Sequence, residues 1–202
     1  MSEFQSSLLS HLKGICELSQ PELLALERHY DLLRRWNEKI NLTSLRHPAD
    51  IIVRHYCESL ALGACLPNVP LRIADIGSGA GFPGFPVAVL RTDCAVTLVE
   101  SHSRKCVFLR ECTRDLKNIR VVEARAEQLQ QRFDWVIARA VNCRRLSGSL
   151  AHLGENIGLL TSRAVAAELV SAGRILWHDL IPLPWGSQGV ILLGRVSRGT
   201  SG

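Results

Sequence analysis

The 202-residue chain predicts an α/β fold: a mostly parallel twisted sheet flanked by helices, with a helical extension at its N-terminus. Three observations carry this. From residue 71 onward, short apolar runs alternate with helix-length segments, the pattern of strands joined by right-handed crossovers. A turn dense in glycine directly follows the first of those runs. Ahead of it, the apolar residues recur at helical spacing. Two regions are expected: residues 1–66 as a helical extension packed on the core, and residues 67–202 as the core itself.

Residues 3–17 read as a first helix, weakened by Gly14. Ser19-Gln20-Pro21-Glu22 has the form of a capping box with Pro in the first turn, and it opens a stronger helix. Leu23, Leu26, Tyr30, Leu33 and Ile40 give that helix one apolar face. Turn-forming residues from Asn37 to Ser44 interrupt it, and Pro48 reopens a helix through Ile51, Ile52, His55, Ser59 and Leu62 as far as Gly63. Then come strand 71–76, helix 84–91, strand 95–99, helix 102–115 and strands 119–123 and 134–138. The last third reads as strand 158–161, helix 162–171 and strands 174–181 and 190–196, the final pair returning through Pro182, Pro184 and Gly186.

Composition narrows the function classes. No run approaches the roughly 18 apolar residues of a membrane span, and Met1-Ser2-Glu3-Phe4-Gln5 lacks the features of a secretory leader, so a cytoplasmic protein is expected. Seven scattered cysteines without a Cys-x-x-Cys pair point to reduced thiols, with neither a disulfide framework nor a metal site. Residues 91–145 hold 12 Lys/Arg against 7 Asp/Glu, an excess equal to the net charge of +5 for the whole chain. That basic stretch follows the glycine turn, where a polyanion would approach; solvated helix faces are the alternative.

The run from Ile73 to Gly84 carries the chemistry. It is a buried strand entering a loop whose glycines allow main chain to touch a ligand. Gly79-Ala80-Gly81-Phe82-Pro83-Gly84 formally meets the dinucleotide fingerprint, which would make the protein an NAD-dependent oxidoreductase. The register is poor for that, because Pro83 has no N–H to offer a phosphate. Asp75-x-Gly77-x-Gly79-x-Gly81 instead resembles the first motif of S-adenosylmethionine-dependent methyltransferases, where a strand-end carboxylate suits the positive amino-acid end of the ligand. Glu100 ends the second strand, where a carboxylate can accept from both ribose hydroxyls; it fits either cofactor.

The assembled motifs resemble one family, the bacterial 16S rRNA guanine-N(7) methyltransferases of the RsmG or glucose-inhibited-division B type. The matching pieces are Asn41-Leu42-Thr43-Ser44, Arg54-His55 with Glu58-Ser59-Leu60, Asp75 to Gly84, Arg104 to Leu109, and Ala138-Arg139-Ala140. The resemblance implies a Rossmann-like class I methyltransferase fold, S-adenosyl-L-methionine as cofactor, and 16S rRNA or the small ribosomal subunit as partner of a monomeric enzyme. It places the methyl donor along Gly77 and Phe82, its ribose near Glu100 and its adenine near Ala126 and Glu127. Arg139 would stand beside the methyl group as the catalytic and cofactor-side residue, with an ion pair to Asp75 or Glu100 as its structural alternative. Arg104, Lys105, Arg144 and Arg145 would meet RNA phosphates. The chain departs from the family pattern at Ala138, where Ser is common, at Glu58, where Asp is common, and at Ser162-Arg163, which replace a Lys-Gly. A protein that keeps the fold but only binds RNA is the third reading. No catalytic role is expected of His55 or His102.

Overall fold

The computed structural model describes residues 1–139, 150, 152–173, 175–186 and 188–196. Helix α1 (Glu3–Leu12) stops well short of residue 17, because Gly14 turns the chain at φ 78°. Helix α2 (Gln20–Asn37) begins where the capping box requires: both the N–H and the hydroxyl of Ser19 donate to Glu22 Oε2, at 2.6 and 2.7 Å. The next helical stretch starts as α3 (Pro48–Ile51), widens into a π turn (Ile52–Cys57) and continues as α4 (Glu58–Cys65).

The sheet then forms from β1 (Arg72–Ile76), β2 (Ala95–Glu100), β3 (Ile119–Glu123), β4 (Phe133–Arg139), β5 (Gly154–Ser162), β6 (Ile175–Pro182) and β7 (Gly189–Val196). Helices α5 (Gly84–Leu90), α6 (Ser103–Thr113) and α7 (Arg163–Ser171) connect them, with a short 3₁₀ turn at Ala126–Gln128. The strand order is β3-β2-β1-β4-β5-β7-β6. The first five strands are parallel, and β7 inserts antiparallel between β5 and β6. Strand β5 starts at Gly154, earlier than expected: the missing Cβ there lets the backbone lie close to Val136 Cγ2, which a Cβ would meet at 2.8 Å.

Alternation along the strands divides the core into two layers. On one face Ile73, Leu98 and Ile137 join Leu8, Leu26, Leu33, Tyr56, Leu60 and Phe85. The helices of residues 1–66 therefore share one continuous apolar layer with the sheet and have no separate core. On the other face Ala74, Val99, Val136 and Leu159 pack with Ala166 and Leu169 of α7.

Candidate functional site

The chain leaves β1 toward β2 and β3 on one side and resumes at β4 and β5 on the other, so the switch point of the sheet lies between β1 and β4. Open α/β sheets bind ligands at the carboxyl ends of the strands flanking such a point. Asp75 pairs with Ile137, the last pair of the β1/β4 ladder, so the carboxyl ends of the two strands lie side by side.

The loop after β1 is held almost peptide by peptide. The amides of Gly77 and Ser78 donate to Val99 O (2.8 and 3.1 Å), and Gly79 N–H donates to Glu100 Oε2 (2.9 Å). Gly81 and Phe82 N–H both return to Ser78 O, at 2.7 and 3.0 Å. Gly77 and Gly79 adopt φ 71° and 58°, and a Cβ on Gly77 would meet no atom of the described residues within 4 Å. Among the described residues, no side chain lies over this main chain at the switch point. Glu100 is buried at the end of β2, its second oxygen accepting from His102 N–H at 2.8 Å. Ala126 and Glu127 sit in the 3₁₀ turn after β3, Ala126 half-buried and Glu127 exposed.

Three residues expected to face a cofactor, Asp75, Gly81 and Phe82, are turned inward. Asp75 has no exposed surface; its Oδ2 accepts from Gly84 N–H at 2.9 Å beneath the loop, while Oδ1 has no partner among the described residues. Burial pushes its carboxyl up to about 7, so it ties the loop to α5 and offers no exposed charge to a ligand. Gly81, at φ 89°, turns its Cα toward the core, where a Cβ would lie 3.2 Å from both His29 Nε2 and Phe85 Cβ. The Phe82 ring is likewise packed inward, stacked on His55 at 4.4 Å and edge-on to His29 and Tyr56.

Arg139 ends β4, and its partner is neither Asp75 nor Glu100. Its Nη2 donates to Glu58 Oε2 at 2.7 Å, with the two side chains 15% and 9% exposed. Nη1 is buried without a partner among the described residues. Burial lowers the Arg139 pKa from its usual value, opposed by the Glu58 charge. His55, one turn before Glu58, meets Thr43 Oγ1 through Nε2 at 2.7 Å, and its Nδ1 is unpartnered among the described residues. Burial first, then the Arg139 charge, lowers its pKa to about 3, so the ring is neutral at neutral pH. Thr43 also borders an open hollow of ≈ 170 Å³ lined by Tyr30, Arg34, Asn37 and Arg46.

Of the expected RNA contacts, Arg104 is exposed and Lys105 half-buried, both in the first turn of α6 beside the end of β2. Arg144 and Arg145 lie outside the described residues. No group of three or more His, Cys, Asp or Glu among the described residues is placed to hold a metal. No described helix is long and apolar enough to cross a membrane.

Sequence reasoning missed His29, and it marked Glu58 as a motif position without giving it a partner. His29 falls on the apolar face of α2 with Leu26, Tyr30 and Leu33. A polar residue on such a face must find buried partners, and that was the available signal. The motif position of Glu58 gave no sign of its partner, which lies 81 residues away.

A sheet of this order, with bare glycine main chain after β1 and a carboxylate ending β2, defines the Rossmann-like methyltransferase class. A solved S-adenosylmethionine-dependent methyltransferase from Aquifex aeolicus shares the fold with TM-score 0.60 at 12% identity, over 77% of this chain and 97% of that one. Residues 22–164 match the family model GidB, rRNA small subunit methyltransferase G, and the chain belongs to that family. It is 43% identical over 136 residues to ribosomal RNA small subunit methyltransferase G of Leptothrix cholodnii, covering 64% of this chain and 62% of the relative. The same-named protein of Nitrosomonas europaea is 41% identical over 161 residues, covering 75% and 74%. The matched region thus spans under two thirds of the first relative and about three quarters of the second.

Proposed function

We propose that the protein transfers the methyl group of S-adenosylmethionine to nitrogen 7 of a guanine in 16S rRNA, as free rRNA or in the small ribosomal subunit. The observation that carries this is the main chain of Gly77 and Gly79 at the β1/β4 switch point, over which no side chain of the described residues lies, with Glu100 fixed beside it. Family membership supports the choice of acceptor.

The residues fit the cofactor. Gly77 and Gly79 would border its ribose and methionine portions, Glu100 its ribose hydroxyls, and the Ala126–Glu127 turn its adenine. Each Glu100 oxygen already accepts one backbone N–H and keeps a further lone pair for a hydroxyl. Bound there, S-adenosylmethionine supplies an electrophilic methyl group on a sulfonium sulfur. A dinucleotide fits worse: the Gly84 N–H is taken by Asp75, the Phe85 N–H by Gly81 O at 2.7 Å, and residues 83 and 86 are prolines, so the start of α5 has no amide left for a pyrophosphate.

Guanine nitrogen 7 carries an in-plane lone pair and no proton, so the chain need not supply a base. That agrees with a site whose buried histidines are neutral and whose Glu58 is paired with Arg139. The work of the chain is alignment and accommodation of charge. Arg139 would hold the target nucleotide by its base or phosphate, and Arg104, Lys105, Arg144 and Arg145 would contact RNA phosphates. The enzyme would act as a monomer in the cytoplasm. Incubating the protein with tritiated S-adenosylmethionine and small subunits from cells lacking it should label 16S rRNA. RNA binding without label would instead favour a noncatalytic RNA-binding protein.

A further inference from the structure

His29 lies in the middle of α2, 1% exposed, with both ring nitrogens engaged. Nε2 is 3.0 Å from Ala80 O in the tip of the glycine loop, and Nδ1 is 2.7 Å from the Tyr56 hydroxyl in the π turn. A carbonyl oxygen can only accept, so Nε2 carries the hydrogen. Nδ1 is then a lone pair and accepts the Tyr56 O–H. The other tautomer would set two lone pairs against each other at Ala80 and two hydrogens at Tyr56, unless the hydroxyl turned away and buried its proton unpaired. Burial lowers the His29 pKa to about 3, so the ring stays neutral through the range in which the protein would work.

The loop is shaped around this ring. His29 stacks on Phe85 at 4.2 Å and meets the edges of Tyr56, Phe82 and Phe108. Gly81, the next residue after the bonded carbonyl, leaves the space that Nε2 fills. Other loop amides are held by the β2 end or by the loop itself: Gly77 and Ser78 by Val99, Gly79 by Glu100, Gly81 and Phe82 by Ser78. Among the described residues, Ala80 C=O is the loop group that the N-terminal helices hold by a hydrogen bond.

The geometry points to His29 as a positioning residue for cofactor binding: locked by Tyr56 in its Nε2–H tautomer, it lets the N-terminal helices fix the tip of the glycine loop. This rests on the cofactor reading above. Without the donor, a buried carbonyl loses its partner and the Ala80–Gly81 peptide turns to find another. The open face of the neighbouring Gly77–Gly79 segment is then no longer preorganised for the ligand. His29→Phe keeps a ring and removes the donor; His29→Gln can restore an Nε2–H near the same place without the ring.

The test uses the full chain and S-adenosylhomocysteine titration by calorimetry, with steady-state methyl transfer to small subunits at varied S-adenosylmethionine. His29→Phe should weaken S-adenosylhomocysteine binding and raise KM for S-adenosylmethionine about tenfold, with kcat at saturation within about threefold of wild type. His29→Gln should recover most of that loss. Tyr56→Phe, which frees the tautomer, should weaken binding about threefold. The idea is overturned by wild-type affinity in His29→Phe, by equal losses in the Phe and Gln variants, or by a loss confined to kcat. If His29→Phe does not fold, unchanged affinity in Tyr56→Phe overturns it. Imidazole ¹⁵N shifts of the ligand-free protein test the tautomer separately: a protonated Nε2 from pH 5 to 8 is expected, and a protonated Nδ1 refutes the lock. A folded wild type that binds no S-adenosylhomocysteine removes the cofactor reading itself, and the role in affinity with it, whatever the shifts report.

Discussion

Gly77 and Gly84 stand at opposite ends of the same loop and should fail in opposite ways when given a methyl group. At Gly77 a Cβ meets no atom of the described residues within 4 Å, so the structural cost of Gly77→Ala is the φ of 71°, about 1–2 kcal/mol. For a chain of this size that lowers Tm by about 3–6 °C. The methyl group would, however, project from the surface proposed to receive the cofactor, and S-adenosylhomocysteine affinity should fall at least about tenfold, or 1.4 kcal/mol. At Gly84 a Cβ would stand 2.4 Å from Leu98 Cδ2 and 2.6 Å from Asp75 Oδ2. Relieving that overlap costs about 1–3 kcal/mol, and disturbing the Gly84 N–H to Asp75 bond adds about 1 kcal/mol. A loss of about 3 kcal/mol lowers Tm by about 6–12 °C. Thermal melts and calorimetric titration of both variants separate the two roles. A Gly77→Ala protein that binds S-adenosylhomocysteine as tightly as wild type would refute the reasoning, as would a Gly84→Ala protein of unchanged stability.

Glu58→Ala leaves the Arg139 guanidinium buried without its carboxylate and should cost about 3–5 kcal/mol in urea unfolding; a loss below about 1 kcal/mol would show that the pair is solvated. Arg139→Ala should reduce methyl transfer by about two orders of magnitude while S-adenosylhomocysteine affinity stays within about twofold, measured by single turnover and calorimetry. Unchanged transfer would remove the residue from the mechanism. Stability should also fall with acid. His29 and His55, with pKa lowered from 6.5 to about 3, stay unprotonated in the fold while the unfolded chain takes up protons below 6.5. Each therefore contributes stability that is full above 6.5 and lost as the pH falls toward 3. Asp75, raised from 3.8 to about 7, has the opposite slope: its contribution is full below 3.8 and lost as the pH rises to 7. Between pH 4 and 6.5 the three leave a net fall of about 1.4 kcal/mol per unit of acidification, and Asp75→Asn should roughly double it, to about 2.7. Urea titrations at pH 4.5, 5.5 and 6.5 check both slopes; equal slopes in the two proteins would contradict the assignment of Asp75.

The features legible in the sequence were those set by near neighbours. The capping box at Ser19, the buried run of β1, the glycines at 77 and 79 and the carboxylate ending β2 each depend on residues within one turn or one strand, and each stands where its spacing put it. What escaped depends on distant parts of the chain. Asp75 looked like a ligand for a cation because it stands at a strand end, yet Gly84, nine residues on, folds back over it. Gly81 looked like the third bare residue of a binding loop, and it is bare to admit His29 from α2. Arg139 was given the two acids nearest the loop as partners, while its carboxylate comes from Glu58 in the helical extension. The π turn at Ile52–Cys57 leaves no mark on apolar periodicity, although it presents both His55 and Tyr56 to the loop region.

The central claim is that bare main chain at the β1/β4 switch point serves methyl transfer to a guanine ring nitrogen. Its most direct test is nucleoside mass spectrometry of 16S rRNA, taken from small subunits of cells lacking the protein and incubated with purified protein and S-adenosylmethionine. One new 7-methylguanosine per rRNA is expected, formed at least about tenfold more slowly by Gly77→Ala protein at subsaturating S-adenosylmethionine. No new methylated nucleoside, or a methyl group on a base other than guanine, would contradict it.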